Sequence, residues 1–178
     1  LLFLGCGSVI LGMHHEQDLR FMGGLKKRMP ITYWTFLLAS LSIAGMPGLA
    51  GFFSKDEILL MAFNTELSAG KFAWAIGTLV AFMTAFYSFR LFFLVFHGEF
   101  RGSEKQWHHL QESPAVVTLP LILLAMGAVG AGWFGIPAIL GGSNHWAHFL
   151  EPVLGHPEMH ISGVGEALLV VSSVVAGA

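Results

Sequence analysis

Gly45-Met46-Pro47-Gly48-Leu49-Ala50-Gly51-Phe52-Phe53-Ser54-Lys55-Asp56-Glu57 sits inside an apolar run that extends from Ile31 to Asn64, and its reading decides the fold. Ile31–Phe53 contains no charged residue, and two readings of it compete. In one, Ile31–Phe53 is a complete transmembrane helix and Lys55 emerges into the headgroup layer. In the other, the helix breaks near Gly45-Met46-Pro47-Gly48 and restarts at Ser54, leaving Lys55 inside the membrane. A straight helix from Ile31 to Asn64 would be about 50 Å long, against a hydrocarbon core of roughly 30 Å. Pro47 removes a backbone donor and clashes with the preceding turn, while Gly45, Gly48 and Gly51 add weakly helical positions around it. Ser54 followed three residues later by Glu57 has the form of a capping box, and the apolar run Ile58-Leu59-Leu60-Met61-Ala62-Phe63 comes directly after. Irregular backbone at membrane depth is tolerated against protein or a wet cavity, which is where transport sites lie. These features favour a discontinuous helix.

Composition supports the membrane setting. The 178 residues are 54% hydrophobic and 11% charged, where soluble domains carry about 25% charged residues. Abundant glycine and phenylalanine suit packed transmembrane helices. The single cysteine, Cys6, excludes an internal disulfide framework and a cysteine-based metal cluster. A net charge of −2 with no basic patch gives no expectation of nucleic-acid binding. The expected fold is an all-α polytopic membrane helix bundle with one discontinuous transmembrane helix.

Five apolar segments can be read: Leu1–Met13, Ile31–Asn64 (interrupted), Phe72–Phe96, Val116–Ile136 and Val164–Ala178. The first and last are shorter than a full span, so the sequence is expected to be part of a longer polytopic chain, with residues 1–178 falling in one transmembrane domain. The connections are His14–Pro30, Thr65–Lys71, His97–Pro114 and Pro137–Gly163. Alternation puts the first and third on one side of the membrane, and these hold Arg20, Lys26, Lys27, Arg28, Arg101 and Lys105. The other two hold only Lys71. The bias expects the first and third connections in the cytoplasm and Lys55 towards the exterior end of its segment.

Lys55 is the leading candidate for chemistry. Desolvation penalises the charged form of a lysine, and a place in the first turn of a half-helix would act in the same sense through the macrodipole. Asp56 and Glu57 oppose both. A lysine balanced between these influences can gain and lose a proton near neutral pH, as a relay requires, and intramembrane ionisable groups mark such pathways. The competing reading is an interfacial Lys–Asp pair that anchors the helix end. Arg90 is the other charge within an apolar run, expected to snorkel towards the near interface. Thr84, Tyr87 and Ser88 on the same segment could line a wet path or could make ordinary interhelical hydrogen bonds. Nine histidines include pairs three apart (His145, His148) and four apart (His156, His160), but they lie in loops without matched cysteines, so solvated histidines are expected in preference to a metal site.

His14-His15-Glu16-Gln17-Asp18-Leu19-Arg20, Met22-Gly23-Gly24-Leu25 and Pro30, then Ala44-Gly45-Met46-Pro47 through Gly51-Phe52-Phe53-Ser54-Lys55-Asp56-Glu57-Ile58-Leu59, then Phe96-His97-Gly98 and Glu112-Ser113-Pro114, resemble the L-type, antiporter-like membrane subunits of proton-pumping NADH–quinone oxidoreductase (respiratory complex I). The resemblance covers most of the chain and is strongest from Leu1 to Phe100. The large subunits of multi-subunit cation/proton antiporters share much of the central pattern and are the alternative. A structural membrane scaffold, with Lys55 only an anchor, is a third possibility and expects Lys55 to tolerate Arg or Met.

The resemblance implies broken helices around a hydrophilic axis, with Lys55 as the lysine on the second broken helix that passes protons to the exterior half-channel. Asp56 would be its neighbouring carboxylate, with Glu57, Thr84, Tyr87 and Arg90 as further candidates. The family's earlier relay residues are not in this sequence, so the resemblance implies the exit end of a relay. It further implies that this chain carries no cofactor, with flavin, iron–sulfur clusters and quinone in partner subunits. Its partners would be neighbouring membrane subunits, the lipid bilayer and protons, in the inner membrane of a bacterium.

Overall fold

The computed structural model describes residues 1–65, 67–135 and 145–154. Among these the regular structure is helical: α1 (Leu2–Gly12), α2 (Pro30–Ala44), α3 (Ala50–Asn64), α4 (Ser68–Phe96), α5 (Glu104–His109), α6 (Ala115–Gly130) and α7 (His145–Leu154), with short 3-10 turns at Leu19–Phe21, Leu25–Lys27 and Ala131–Gly135. Ala69–Phe96 and Ala115–Gly135 are each long and apolar enough to cross a bilayer. α2 and α3 have 15 residues each. Each is about 22 Å long, short of the roughly 30 Å hydrocarbon core, so they are short pieces of one interrupted segment.

Several boundaries differ from the sequence reading. α2 starts at Pro30, whose missing N–H and fixed φ suit the first helical position. α4 begins at Ser68 and takes in Lys71, so the connection expected over Thr65–Lys71 is shorter. The connection His97–Pro114 contains α5, and that of Pro137–Gly163 contains α7. The apolar segment Val164–Ala178 lies outside the described residues.

The chain divides into two compact units. The first comprises Leu1–Ser40 and Phe86–Gly127. Its core joins α2 to α4 through an aromatic ladder: Tyr33 meets Phe96 at 5.4 Å between ring centroids, and Phe36 meets Phe92 at 6.4 Å. Tyr33 also meets Phe92 at 5.1 Å and Phe36 meets Phe96 at 5.4 Å, so the four rings form one cluster, and Tyr33 in the first turn of α2 lies 5.8 Å from His97 just past the end of α4. Met13, Leu25, Met29 and Leu110 are fully buried around this ladder.

Beside it lies a polar knot. Ser8 Oγ is 2.7 Å from both Thr32 Oγ1 and Ser113 Oγ. The Glu112 carboxylate accepts from Thr32 Oγ1 at 2.5 Å and from the Ile31 backbone N–H at 2.7 Å. The first-turn donors of α2 are thus satisfied by a carboxylate about 80 residues away in sequence, at the end of the helix that attracts negative charge.

The connections 14–29 and 97–114 pack together at one end of this unit, as alternation expects. Gly24 N–H donates to His97 O at 3.2 Å, and Arg101 donates to Leu19 O at 3.1 Å. Gly23, at φ +145°, lies so close to this junction that a Cβ would overlap the Glu99 carbonyl. Asp18 caps the Leu19–Phe21 turn. The Arg20 side chain, then the Arg20 backbone N–H, hold its carboxyl below the usual carboxylate range. α1 ends on two consecutive left-handed residues, His14 (φ 56°) and His15 (φ 70°), the second returning its N–H to Ile10 O at 2.8 Å.

The second unit comprises residues 41–85 and the described residues from Ala128 on. Here α3 and the first half of α4 form an antiparallel pair in which Phe63 and Trp74 meet edge to face at 5.3 Å. Gly70 and Gly77 permit the close approach, since a Cβ at either would collide with Thr65 or Leu59.

Candidate functional site at a broken helix

The break between α2 and α3 is built from two successive reversals. α2 closes with a Schellman arrangement: Met46 N–H reaches back to Leu41 O at 3.0 Å and Gly45 N–H to Ser42 O at 3.1 Å, with Gly45 at φ +91°. Met46-Pro47-Gly48-Leu49 then makes a turn closed by Leu49 N–H on Met46 O at 3.2 Å, with Gly48 at φ +89°. Proline in the second place and a left-handed glycine in the third are what a type II turn requires.

α3 restarts at Ala50 rather than Ser54. The expected capping box is therefore corrected: Ser54 lies inside the helix, and its hydroxyl is directed back to the Gly51 carbonyl at 3.4 Å. The early restart has a local cause. Ser42 Oγ accepts from the Gly51 N–H at 3.2 Å, so a side chain of α2 takes a first-turn donor of α3. Gly51 has no room for a Cβ against the Ser42 carbonyl, and a Cβ on Gly132 would also clash, less severely, with Phe53 and Ala50.

Lys55 crosses this break. Its Nζ donates to the Ile43 carbonyl at 2.6 Å. The Schellman bonds satisfy Leu41 and Ser42 but leave the Ile43 oxygen open, and the lysine fills it. A helix C-terminus carries partial negative charge, so an ammonium is favoured there. This corrects the expected electrostatics as well. Lys55 is in the second turn of α3, and the helix end its ammonium meets is the negative end of α2 rather than the positive end of its own helix.

Asp56 is half-buried and follows directly on α3, whereas Glu57 is exposed. On α4, Thr84 is buried and donates to Val80 O at 2.7 Å, a bond within its own helix. Tyr87 and Arg90 are exposed. Ser88 is buried and has no hydrogen-bond partner, as is Ser40 on α2. Of the candidates with a described bond, Lys55 is the one that reaches from its own helix to another, with Asp56 beside it on α3. Among the described residues no three His, Cys, Asp or Glu side chains gather as a metal site would require.

Sequence reasoning found the break and the lysine but missed the Ile43 carbonyl. The signal was present: a Schellman ending with glycine leaves a defined carbonyl unpaired, and the nearest cation downstream is Lys55.

Residues 1–84 match the family described as NADH:quinone oxidoreductase/Mrp antiporter, TM. Over 90% of its length the chain is 44% identical to NADH-quinone oxidoreductase subunit L of Neisseria meningitidis serogroup A, covering 26% of that protein. It is 45% identical to subunit L of Mycobacterium tuberculosis over 88% of the chain and 24% of the relative. To NADH-ubiquinone oxidoreductase chain 5 of Marchantia polymorpha it is 42% identical over 84% of the chain and 23% of the relative. The chain thus spans about a quarter of the length of these curated relatives. The family match over residues 1–84 and these identities together place the chain in the NADH:quinone oxidoreductase/Mrp antiporter transmembrane family.

Proposed function

We propose that this chain contributes the exit-side proton relay of a membrane subunit in a proton-translocating NADH–quinone oxidoreductase, with Lys55 as the residue that carries the proton. The observation that supports the reading is the Lys55–Ile43 contact across the helix break. Protonated, the lysine is attracted to the C-terminal end of α2. Once it gives up the proton, that attraction is lost and the flexible four-carbon stem is free to swing away. Asp56 is the neighbouring carboxylate on α3. Such a lysine has two positions coupled to two charge states.

In this reading the chain performs no redox chemistry. Flavin, iron–sulfur clusters and quinone belong to partner subunits, and the coupling reaches Lys55 through neighbouring membrane subunits. The connections His14–Pro30 and His97–Pro114 face the cytoplasm of a bacterium, on the strength of their lysines and arginines.

The test is Lys55→Met in the complete assembly, in inverted membrane vesicles with NADH oxidation and lumen acidification followed together. The expected result is an assembled complex whose acidification per NADH falls. Unchanged assembly, turnover and acidification would make Lys55 an anchor. A cation/proton antiporter is the second reading, favoured by the family description that names both systems. It predicts proton movement driven by an imposed sodium or potassium gradient without NADH.

A further inference from the structure

α7, His145–Leu154, is a ten-residue helix that the relay leaves unused. Trp146, Phe149, Leu150 and Val153 stand at i, i+3, i+4 and i+7, and all four are exposed, Phe149 and Val153 at 75% and 82%. That spacing puts them on one stripe, with Glu151 on the opposite side of the helix.

The helix is fastened to the end of an apolar span. Trp146 Nε1 donates to Ala131 O at 3.3 Å, and a Cβ on Gly135 would lie 3.0 Å from the indole. Ala131–Gly135 is the terminal turn of the 21-residue apolar helix Ala115–Gly135. Its own Trp133 and Phe134 are also exposed. Two tryptophans and two phenylalanines therefore gather where a membrane-spanning helix ends. Indole rings, apolar with one polar N–H, favour the boundary between headgroups and acyl chains, and a short helix with one aromatic-aliphatic face lies in that boundary plane.

We propose that α7 is an interfacial helix, its Trp146–Phe149–Leu150–Val153 face resting on the lipid of the bilayer that the Ala115–Gly135 helix crosses. Lipid is the occupant because the stripe continues the exposed surface at the end of that span, through Trp133 and Phe134, and the indole bond to Ala131 holds the helix at that level. Its role is to fix the depth of the span's end, and through Gly132 the start of α3, which packs against the same turn.

The experiment is site-directed spin labelling in the full-length subunit within its assembly, with Cys6 and other accessible thiols replaced by serine. Phe149→Cys, Val153→Cys and Glu151→Cys are labelled one at a time in phosphatidylcholine–phosphatidylglycerol vesicles. Collisions with oxygen, which concentrates in lipid, are compared with those of a water-soluble nickel chelate. The expected result is oxygen exceeding chelate at 149 and 153, at a depth of about 5–10 Å, with lower oxygen accessibility at the half-buried 151. Chelate exceeding oxygen at 149 and 153 would overturn the proposal in favour of a solvated helix. Shielding from both reagents would overturn it in favour of a protein neighbour. Val153, which is the most exposed of the four, keeps the test independent of folding defects at Phe149.

Discussion

Hydroxyl groups at buried positions separate two kinds of residue in this chain. Ser8 is fully buried and joins Thr32 to Ser113 at 2.7 Å on each side. Ser88 is equally buried and has no partner. Removing Ser8 takes one partner from each of two buried hydroxyls, although Thr32 keeps Glu112 and Ser113 keeps the Ser8 carbonyl, whereas removing an orphan takes none. Ser8→Ala is therefore expected to lower stability by about 1 kcal/mol, in line with interhelical hydrogen bonds in membranes. Ser88→Ala should be neutral or stabilising. Thermal unfolding of both variants in detergent checks the pair, and a larger loss for Ser88→Ala would contradict the assignment. The importance of Ser8 was not legible in the sequence, because its partners lie 24 and 105 residues away.

At the scale of elements, the same sequence signature occurs twice with opposite outcomes. Ser103-Glu104-Lys105-Gln106 forms a reciprocal capping box at the start of α5. Ser54-Lys55-Asp56-Glu57 has the same form and caps nothing, because Ser42 has already satisfied a first-turn donor of α3 four residues earlier. A local pattern predicts a helix start only where no tertiary partner supplies an earlier one. The break itself was legible, since Pro47-Gly48 and Gly45 specify the turn and the Schellman ending by backbone chemistry alone.

The glycines of the break differ in what they do. Gly48 has open space but a left-handed φ, so Gly48→Ala costs only backbone strain, about 1–2 kcal/mol. Gly51 has helical backbone, where alanine would ordinarily gain about 1 kcal/mol. Its Cβ, however, would overlap the Ser42 carbonyl. Gly51→Ala should push α3 from the end of α2 and lose about 1–3 kcal/mol, as overpacking does. It should also weaken proton transport, because the Lys55–Ile43 contact spans the same gap. Comparing stability and acidification in the two variants tests this. Normal transport in a folded Gly51→Ala protein would contradict it.

For the whole molecule, the two basic connections form one packed end, Gly24 bonded to His97 and Arg101 to Leu19. Alternating apolar segments imply that shared side, and the proposal that it faces the cytoplasm rests on charge bias alone. A cysteine at Lys27 or Lys105 should react with an impermeant maleimide in inverted vesicles, and one at Lys71 in right-side-out vesicles or spheroplasts. Labelling of Lys27 and Lys105 from opposite sides would break the topology. The division into short broken helices, long spans and an interfacial α7 could be read only partly from the sequence. Periodicity marks the apolar runs, but not where a helix end borrows its caps from elsewhere.

The central claim is that Lys55 moves a proton rather than merely supplying a charge, and Lys55→Arg tests it most directly. Arginine keeps the cation and can still donate to the Ile43 carbonyl, yet its guanidinium does not release a proton at physiological pH. In the complete assembly in inverted vesicles, the account predicts a Lys55→Arg complex that assembles and holds its structure, while acidification per NADH falls as it does for Lys55→Met. Full acidification by the arginine variant would contradict the account and leave Lys55 as a helix cap.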